Sequence, residues 1–240
     1  MSMSSIKNLE VNGIQSWIDL ATLIEDCSTG GWIFRGESRD TNILRPKAGR
    51  VDGGVGSARK LAHDIKDEEK ALEAFKLQAK PYLGHSPSSE IEWLAIAQHH
   101  GMSTRLLDWT EGLLVAAYFA TTNAGVINGK YCNAVIYGVR DLENVSQKDQ
   151  NNPFQIARPK IYHPSHITPR IPAQRSVFTI HSSPTEEFRP TTYFKWVISG
   201  KTCGIIKKVL DTCAINESSL FPDLDGLSRY LGWRYKWGKF

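Results

Sequence analysis

Residues 91–97 and 113–120 are two apolar, helix-patterned segments, and between them runs Gln98-His99-His100-Gly101-Met102-Ser103-Thr104-Arg105-Leu106-Leu107-Asp108-Trp109. Two imidazoles, two hydroxyls, a guanidinium and a carboxylate are thereby drawn into apolar company. A polar group buried without a partner costs roughly 1–3 kcal/mol in protein mutational data. A chain that concentrates such groups in so short a run builds either a buried network or a site. The spacing places the run on a helix that ends at Gly101, a short strand over 104–107 and a second buried helix over 112–121.

The remaining pattern is consistent with one α+β domain. Ser16 reads as the N-cap of a helix to Ile24, with Trp17, Leu20 and Ile24 at helical spacing. Gly30-Gly31 ends it, and Trp32-Ile33-Phe34 is a short buried strand that delivers Arg35-Gly36 at its end. Helices are expected over 67–79, 90–99, 204–213 and 223–230, and strands over 134–139, 177–180 and 194–198. The expected architecture is a small curved mixed β-sheet surrounded by helices. Residues 51–57 are Gly-rich without an ordered phosphate-binding fingerprint and read as a flexible loop. Residues 141–169 are polar and Pro-interrupted and read as a mobile loop.

With 41% apolar and 22% charged residues, the 240-residue chain can bury a real core. Neither an internal repeat nor a composition shift divides it. We segment it as a lead-in and helix over 1–29, a main domain over 30–230 and a basic aromatic tail over 231–240. The net charge of +4 is scattered, apart from Arg229, Arg234, Lys236 and Lys239 interleaved with Trp233, Tyr235 and Trp237. Such a segment suits nucleic acid through phosphate contacts and base stacking, and equally suits aromatics packed on the domain. Four cysteines without a Cys-x-x-Cys pair point to free thiols in a reducing compartment. No apolar run reaches the roughly 20 residues that span a bilayer, and the N-terminus lacks a signal-peptide core. The expectation is a cytoplasmic protein without a membrane contact.

Several residues stand out as site candidates. Arg35, after three large apolar residues, can grip a phosphate or carboxylate, or pair structurally with Glu37 or Asp108. Gly36 allows close approach of a ligand or of backbone. Ser103 and Thr104 can bond a ligand amide or ribose, or satisfy local backbone. Arg105 and Asp108, three apart, face opposite sides of a regular strand; Asp108 suits capping the helix that begins near Gly112. Adjacent His99 and His100 point apart and lack a third ligand, so no metal site is expected; one of them can serve as a general acid or base, or stay in the core. Arg170 and Gln174, before the strand at 177–180, would converge on the cleft of Arg35.

The order of these motifs resembles the FRG domain family, named for the tripeptide seen here as Phe34-Arg35-Gly36. The resemblance continues through Leu44-Arg45-Pro46 and Arg50, the run from Ala97 to Thr110, Ala116-Ala117-Tyr118-Phe119-Ala120, Arg170-Ile171 with Ala173-Gln174 and Phe178, and Leu220-Phe221-Pro222-Asp223-Leu224. Ser103 stands where the family typically has Pro, and Ser176 where it often has Gly. The family's spread through bacterial and phage-related neighbourhoods implies a defence or toxin setting.

An aromatic-Arg-Gly strand end, a Ser/Thr strand leading to a helix and a later polar residue are also similar to ADP-ribosyltransferases. That similarity implies Arg35 on the phosphates or ribose of NAD, Ser103 or Thr104 bracing the nicotinamide pocket, and Gln174 in the third position. There the superfamily often has Glu; an amide bonds a ribose hydroxyl but neither stabilises a developing cation nor acts as a base. Together, the reading of the residues and the resemblances put forward Arg35, His100 and Gln174 for catalysis, and Arg35, Gly36, His99, Ser103, Thr104 and Arg105 for binding NAD as substrate. A binding module for a nucleotide or nucleic acid, and a protein-interaction domain, are the other readings.

Overall fold

The computed structural model describes residues 9–50, 64–84, 86–124, 126–127, 130–165 and 168–236. The Gly-rich stretch 51–57, and Trp237 and Lys239 of the tail, lie outside them. In chain order the elements are β1 (Leu9–Ile14), α1 (Trp17–Asp26), β2 (Ile33–Glu37), α2 (Ile65–Ala79), α3 (Glu90–His99), β3 (Leu106–Thr110), α4 (Leu113–Thr122), β4 (Val126–Ile127), β5 (Lys130–Tyr131), β6 (Ala134–Val139), α5 (Gln147–Asn151), β7 (Lys160–Tyr162), α6 (Arg170–Gln174), β8 (Ser176–Ile180), β9 (Tyr193–Ile198), α7 (Gly200–Thr212), α8 (Glu217–Leu220) and α9 (Leu224–Lys236).

Seven strands form one open mixed sheet in the order β1-β9-β6-β2-β3-β8-β7, with β4-β5 as a separate two-stranded ladder. β1 runs parallel to β9, and the other pairs are antiparallel. The sheet is the expected α+β core, larger than the five strands legible by pattern. Strand β6 is buried at all six positions because both faces of the sheet are covered. On one face α1, α4 and α7 pack against Phe34, Ile136, Phe194 and Trp196. On the other, Ile33, Leu107, Trp109, Val135 and Tyr137 are covered by Leu44 and Phe188 from loops. Helices α2 and α3 cover Leu106, Phe178 and Ile180 at the β8 side.

Local chemistry sets several boundaries. Ser16 and Asp19 form a capping box at the start of α1, and Ser89 caps α3 by accepting from the Glu92 N–H. Gly101, at φ +97°, turns the chain after α3. The next strand begins at Leu106 rather than Thr104: the Thr104 hydroxyl accepts from the Leu106 N–H, and the Arg105 N–H donates to Glu68, so both residues are spent on a turn.

Residues 141–169 do not form one loop. They hold α5 and the edge strand β7, whose Lys160 bonds Asp149 at 2.8 Å and Glu143 at 3.0 Å. Residues 170–174 form a helical turn rather than a strand start. Residues 231–236 continue α9.

A clash at Gly36 shows how closely β2 and α4 approach. A methyl group there would lie 1.9 Å from the Ala116 carbonyl oxygen and 2.5 Å from the Ala120 nitrogen. Small residues at 116, 117 and 120, all buried, let the helix backbone reach the strand.

Candidate functional site

Strands β2 and β3 share a single register pair, Phe34 with Thr110. Beyond it the two strands part, while β3 stays paired with β8 along its whole length. The Arg35 guanidinium occupies this split. Its NH1 donates to the Asp108 carbonyl at 2.7 Å, taking the place of a missing ladder partner, and lies 3.6 Å from the Asp108 carboxylate. Its Nε donates to Glu37 at 2.7 Å, and NH2 reaches the same oxygen at 2.7 Å.

Glu37 is buried and also accepts from Asn42 at 3.0 Å. Burial pushes its carboxyl pKa up, but Arg35, together with Arg50 and Asn42, holds it below the ordinary value. The structural pairing of Arg35 with both acids is therefore present. It leaves few of the guanidinium donors for a phosphate.

The split opens into a cleft of about 330 Å3. Phe119 of α4 and Phe221 pack edge-to-face, ring centres 6.1 Å apart, on its wall beside Asn123 and Gln174, and Arg35, Asp108 and Ser176 form the floor. Gln174 is fixed by donating from Nε2 to the Leu220 carbonyl at 2.9 Å, while its own carbonyl accepts from the Thr110 hydroxyl at 2.7 Å. Arg35 and Gln174 do converge on one cleft.

Asp108 is held from the helical side. Gln98 of α3 donates to its Oδ1 at 2.8 Å and accepts the Thr104 hydroxyl proton on its own Oε1. Gln98 thus reads the strand and the turn together, and the chain Thr104–Gln98–Asp108–Arg35–Glu37 is continuous. With its side chain 60% exposed, the Asp108 carboxylate faces the cleft while its partners are covered. It does not cap α4, whose N-cap is Gly112 without a side-chain cap; the Gly112 N–H donates to the Thr110 hydroxyl at 3.0 Å.

Residues 30–127 match the family model of the FRG domain. This chain carries an FRG domain. The matched span includes β2, the polar run and α4, so the Phe-Arg-Gly tripeptide, Gln98 and Asp108 belong to one family segment; Gln174 lies beyond it. No curated protein and no solved structure matches the chain.

Within the FRG domain the other candidates take separate places. Thr104 is buried in the network, without a face toward the cleft, and Ser103 is exposed on the turn. Arg105 is fully buried: Nε and NH2 bond Glu68 of α2 at 3.1 and 2.9 Å, so a cofactor cannot reach it. It faces away from Asp108, as a strand pair three apart should. Gly36 lines the cleft and also lets the α4 backbone approach β2.

His99 is half-buried near Asp108, Arg170 and Asp223, at the edge of the cleft. Burial first, then His100 and Arg170, lower its pKa to about 4, so it is neutral at pH 7. His100 is exposed and meets His99 edge-to-face at 5.1 Å, and is not part of the cleft wall. Arg170 pairs with Asp223 at 2.5 Å and lies over the Phe221 ring at 5.2 Å, fixing that wall.

Sequence reasoning offered Glu37 only as a pairing partner of Arg35 and gave no role to Gln98 or His181. Glu37 and Gln98 sit within the motifs themselves, and their signal was proximity to Arg35 and Asp108. His181 carried no pattern. It is buried, with Nε2 2.8 Å from the Thr179 hydroxyl, which in turn accepts from the Trp109 indole N–H at 2.9 Å. The buried imidazole is neutral at pH 7, and its tautomer sets which of the two groups donates.

Among the described residues no group of three or more His, Cys, Asp or Glu is placed to hold a metal ion, and no helix is long and apolar enough to cross a membrane. All four thiols are free, and burial pushes Cys27 up to about 12 and Cys203 to about 11. In the C-terminal segment Trp233 is half-buried and lies 5.2 Å from the Lys207 ammonium, and Arg229 bonds Glu217 at 2.7 Å. These contacts favour packing on the domain over a free basic tail.

Proposed function

We propose that the split between β2 and β3 binds the nicotinamide-ribose end of NAD and that the protein cleaves its glycosidic bond. The supporting observation is the exposed Asp108 carboxylate on the floor of an aromatic-walled cleft that also holds Arg35 and Gln174. The cleft volume lies near the lower end of the range of roughly 300–1,000 Å3 for small-molecule sites. Phe119 and Phe221, closed on each other edge-to-face, give the cleft an apolar wall for the edge of a planar ring, and Asp108, Asn123 and the Gln174 amide suit hydroxyls.

Charge decides what the floor prefers. Arg35 and Arg50 are matched by Glu37 and Asp108, so the four groups carry no net charge. With the Arg35 donors spent on both acids, the exposed Asp108 carboxylate is the group left to meet a ligand, which favours a cationic ring or sugar over a phosphate. As the bond between ribose and nicotinamide breaks, its electron pair leaves on the nicotinamide nitrogen and positive charge develops on the sugar. Asp108 supplies the negative charge that Gln174 lacks, and water or an acceptor nucleophile then closes on the sugar carbon. The phosphates would lie outside the split, toward Arg170. A binding module without turnover is the second reading, favoured by the neutral His99 and the amide at Gln174.

Nicotinamide release from NAD by purified protein tests this directly, with Asp108→Asn alongside. The variant is isosteric and exposed, so its thermal midpoint should stay unchanged while release falls about 100-fold, as for removal of one electrostatic stabiliser. Wild-type protein that binds NAD in a calorimeter without releasing nicotinamide would assign the binding module. A folded protein that neither binds nor releases would overturn the NAD reading.

A further inference from the structure

Helix α9 meets the domain with the less apolar of its two sides. A helix on the surface of a domain ordinarily buries its apolar stripe and turns polar residues to water. The packed side of α9 instead carries Gly226, Arg229 and Trp233. A methyl at Gly226 would lie 2.0 Å from the Phe221 carbonyl oxygen, Arg229 bonds Glu217 at 2.7 Å, and the Trp233 ring lies 5.2 Å from the Lys207 ammonium. Leu224, Leu227, Leu231 and Tyr235 follow one another at intervals of three, four and four residues, which sets them in a line on the opposite side. They are 81%, 43%, 39% and 77% exposed. Single exposed leucines need no explanation, but four apolar residues in line form a contiguous strip, and such strips mark interaction surfaces.

We infer that this strip is an interface with a second copy of the chain, whose α9 lies antiparallel to it across a two-fold axis. The charges on the helix choose this occupant. Asp225 lies in the first turn, and Arg234 and Lys236 in the last. An antiparallel copy sets each acidic end beside a basic end, and the two helix dipoles oppose in the same way. A parallel copy would set like ends together, and an anionic membrane surface would meet the Asp225 carboxylate, where a helix lying on such a surface carries cations. The pairing brings Leu224 of each copy against Tyr235 of the other, with Leu227 and Leu231 of both at the centre, and it closes by symmetry as a dimer. A 13-residue helix is about 20 Å long, so one face of it covers less than the roughly 800 Å2 per partner of a standard interface. The dimer is therefore weak, with a Kd of roughly 10–100 µM.

Analytical ultracentrifugation of the full-length protein from about 5 to 500 µM brackets that Kd and should show monomer giving way to dimer. Leu231→Glu puts a carboxylate at the centre of the strip in both copies and should hold the protein monomeric throughout. Leu224→Ser changes a side chain that the domain leaves exposed, so its thermal midpoint should stay in place while the Kd rises about tenfold, two leucines being lost from each dimer. Asp225→Lys sets cations together at both ends and should raise the Kd about fivefold at low salt; adding Lys236→Asp restores the complement and should restore the affinity. A wild-type protein that stays monomeric at the highest concentration overturns the interface, and its cosedimentation with phosphatidylserine vesicles would then assign the strip to a membrane. An unchanged Kd in Leu224→Ser places the dimer elsewhere and overturns the strip. An unchanged Kd in Asp225→Lys overturns the antiparallel direction. NAD plays no part in these measurements, so their outcome is separate from the reading of the β2–β3 cleft.

Discussion

Glu37 has its side chain 9% exposed, against the Arg35 guanidinium, so the fate of one residue is tied to the other. Arg35→Ala would leave the carboxylate buried with only Asn42 at 3.0 Å and Arg50 at 3.7 Å. Breaking a buried pair by removing one partner costs about 3–5 kcal/mol, and the two remaining contacts place this case near 3. Arg35→Ala should therefore be a destabilised protein in urea titration. Arg35→Lys keeps the charge and should recover part of the loss; if Arg35→Ala unfolds at the wild-type urea midpoint, the guanidinium is held for a ligand alone. Gly36→Ala acts through different atoms. Both groups its methyl would meet belong to the α4 backbone, so a side-chain rotation cannot relieve the contact, and the cost is about 3 kcal/mol, the upper part of the overpacking range. The tripeptide thus divides its work: Phe34 in the core, Arg35 in the split, Gly36 against the helix.

At the scale of elements, the helix–turn–strand–helix unit was legible because its flanks are apolar at helical spacing and Ser89 and Gly101 mark its boundaries. The start of β3 was not, because Thr104 and Arg105 look like strand residues until Gln98 and Glu68 claim them. The edge strand β7 escaped notice because three residues between prolines carry no usable period. Strand β8 brings a consequence invisible in the pattern. His181, just past its end, is 2% exposed, and burial, then Arg105 and Arg35, lower its pKa to about 3 from 6.5. The unfolded chain takes up a proton near pH 6.5 and the native chain does not until about pH 3. Stability is therefore fully present above pH 6.5 and falls as pH drops through that window, by up to about 1.4 kcal/mol per pH unit from this one group. His181→Gln keeps a hydrogen-bond partner for the Thr179 hydroxyl and does not titrate. Urea midpoints measured from pH 7 to 4 should fall less steeply in that variant; parallel slopes would mean that His181 is protonated in the native state. His99, lowered to about 4, leaves a residual slope in both proteins.

Across the whole molecule, the two helical groups stand on different parts of one sheet, and the cleft exists because β2 and β3 separate where they meet. Sequence pattern conveys which strands exist, but not that two neighbours share only one register pair, since that depends on contacts 76 residues apart, as between Phe34 and Thr110. What keeps α2 on the β3 side is likewise non-local. Arg105 bonds Glu68 through Nε and NH2, its NH1 donates to the His181 carbonyl at 3.4 Å, and its guanidinium lies 4.5 Å from the Phe154 ring centre. One fully buried side chain thereby joins α2, β3, the end of β8 and the turn before β7. Arg105→Met fills most of the volume but takes the guanidinium from the buried Glu68 carboxylate, and should cost about 3–5 kcal/mol. Glu68 has a second duty, accepting the Arg105 N–H at 3.0 Å, so replacing it with an apolar residue would orphan that donor. Glu68→Gln avoids this, because the amide oxygen still accepts. The double variant Glu68→Gln/Arg105→Met carries no buried charge and keeps the backbone bond, and should regain at least about 2 kcal/mol over Arg105→Met alone, as neutral replacements of buried pairs do. A double variant no more stable than the single would show that the guanidinium holds α2 through Phe154 and the His181 carbonyl rather than through its charge.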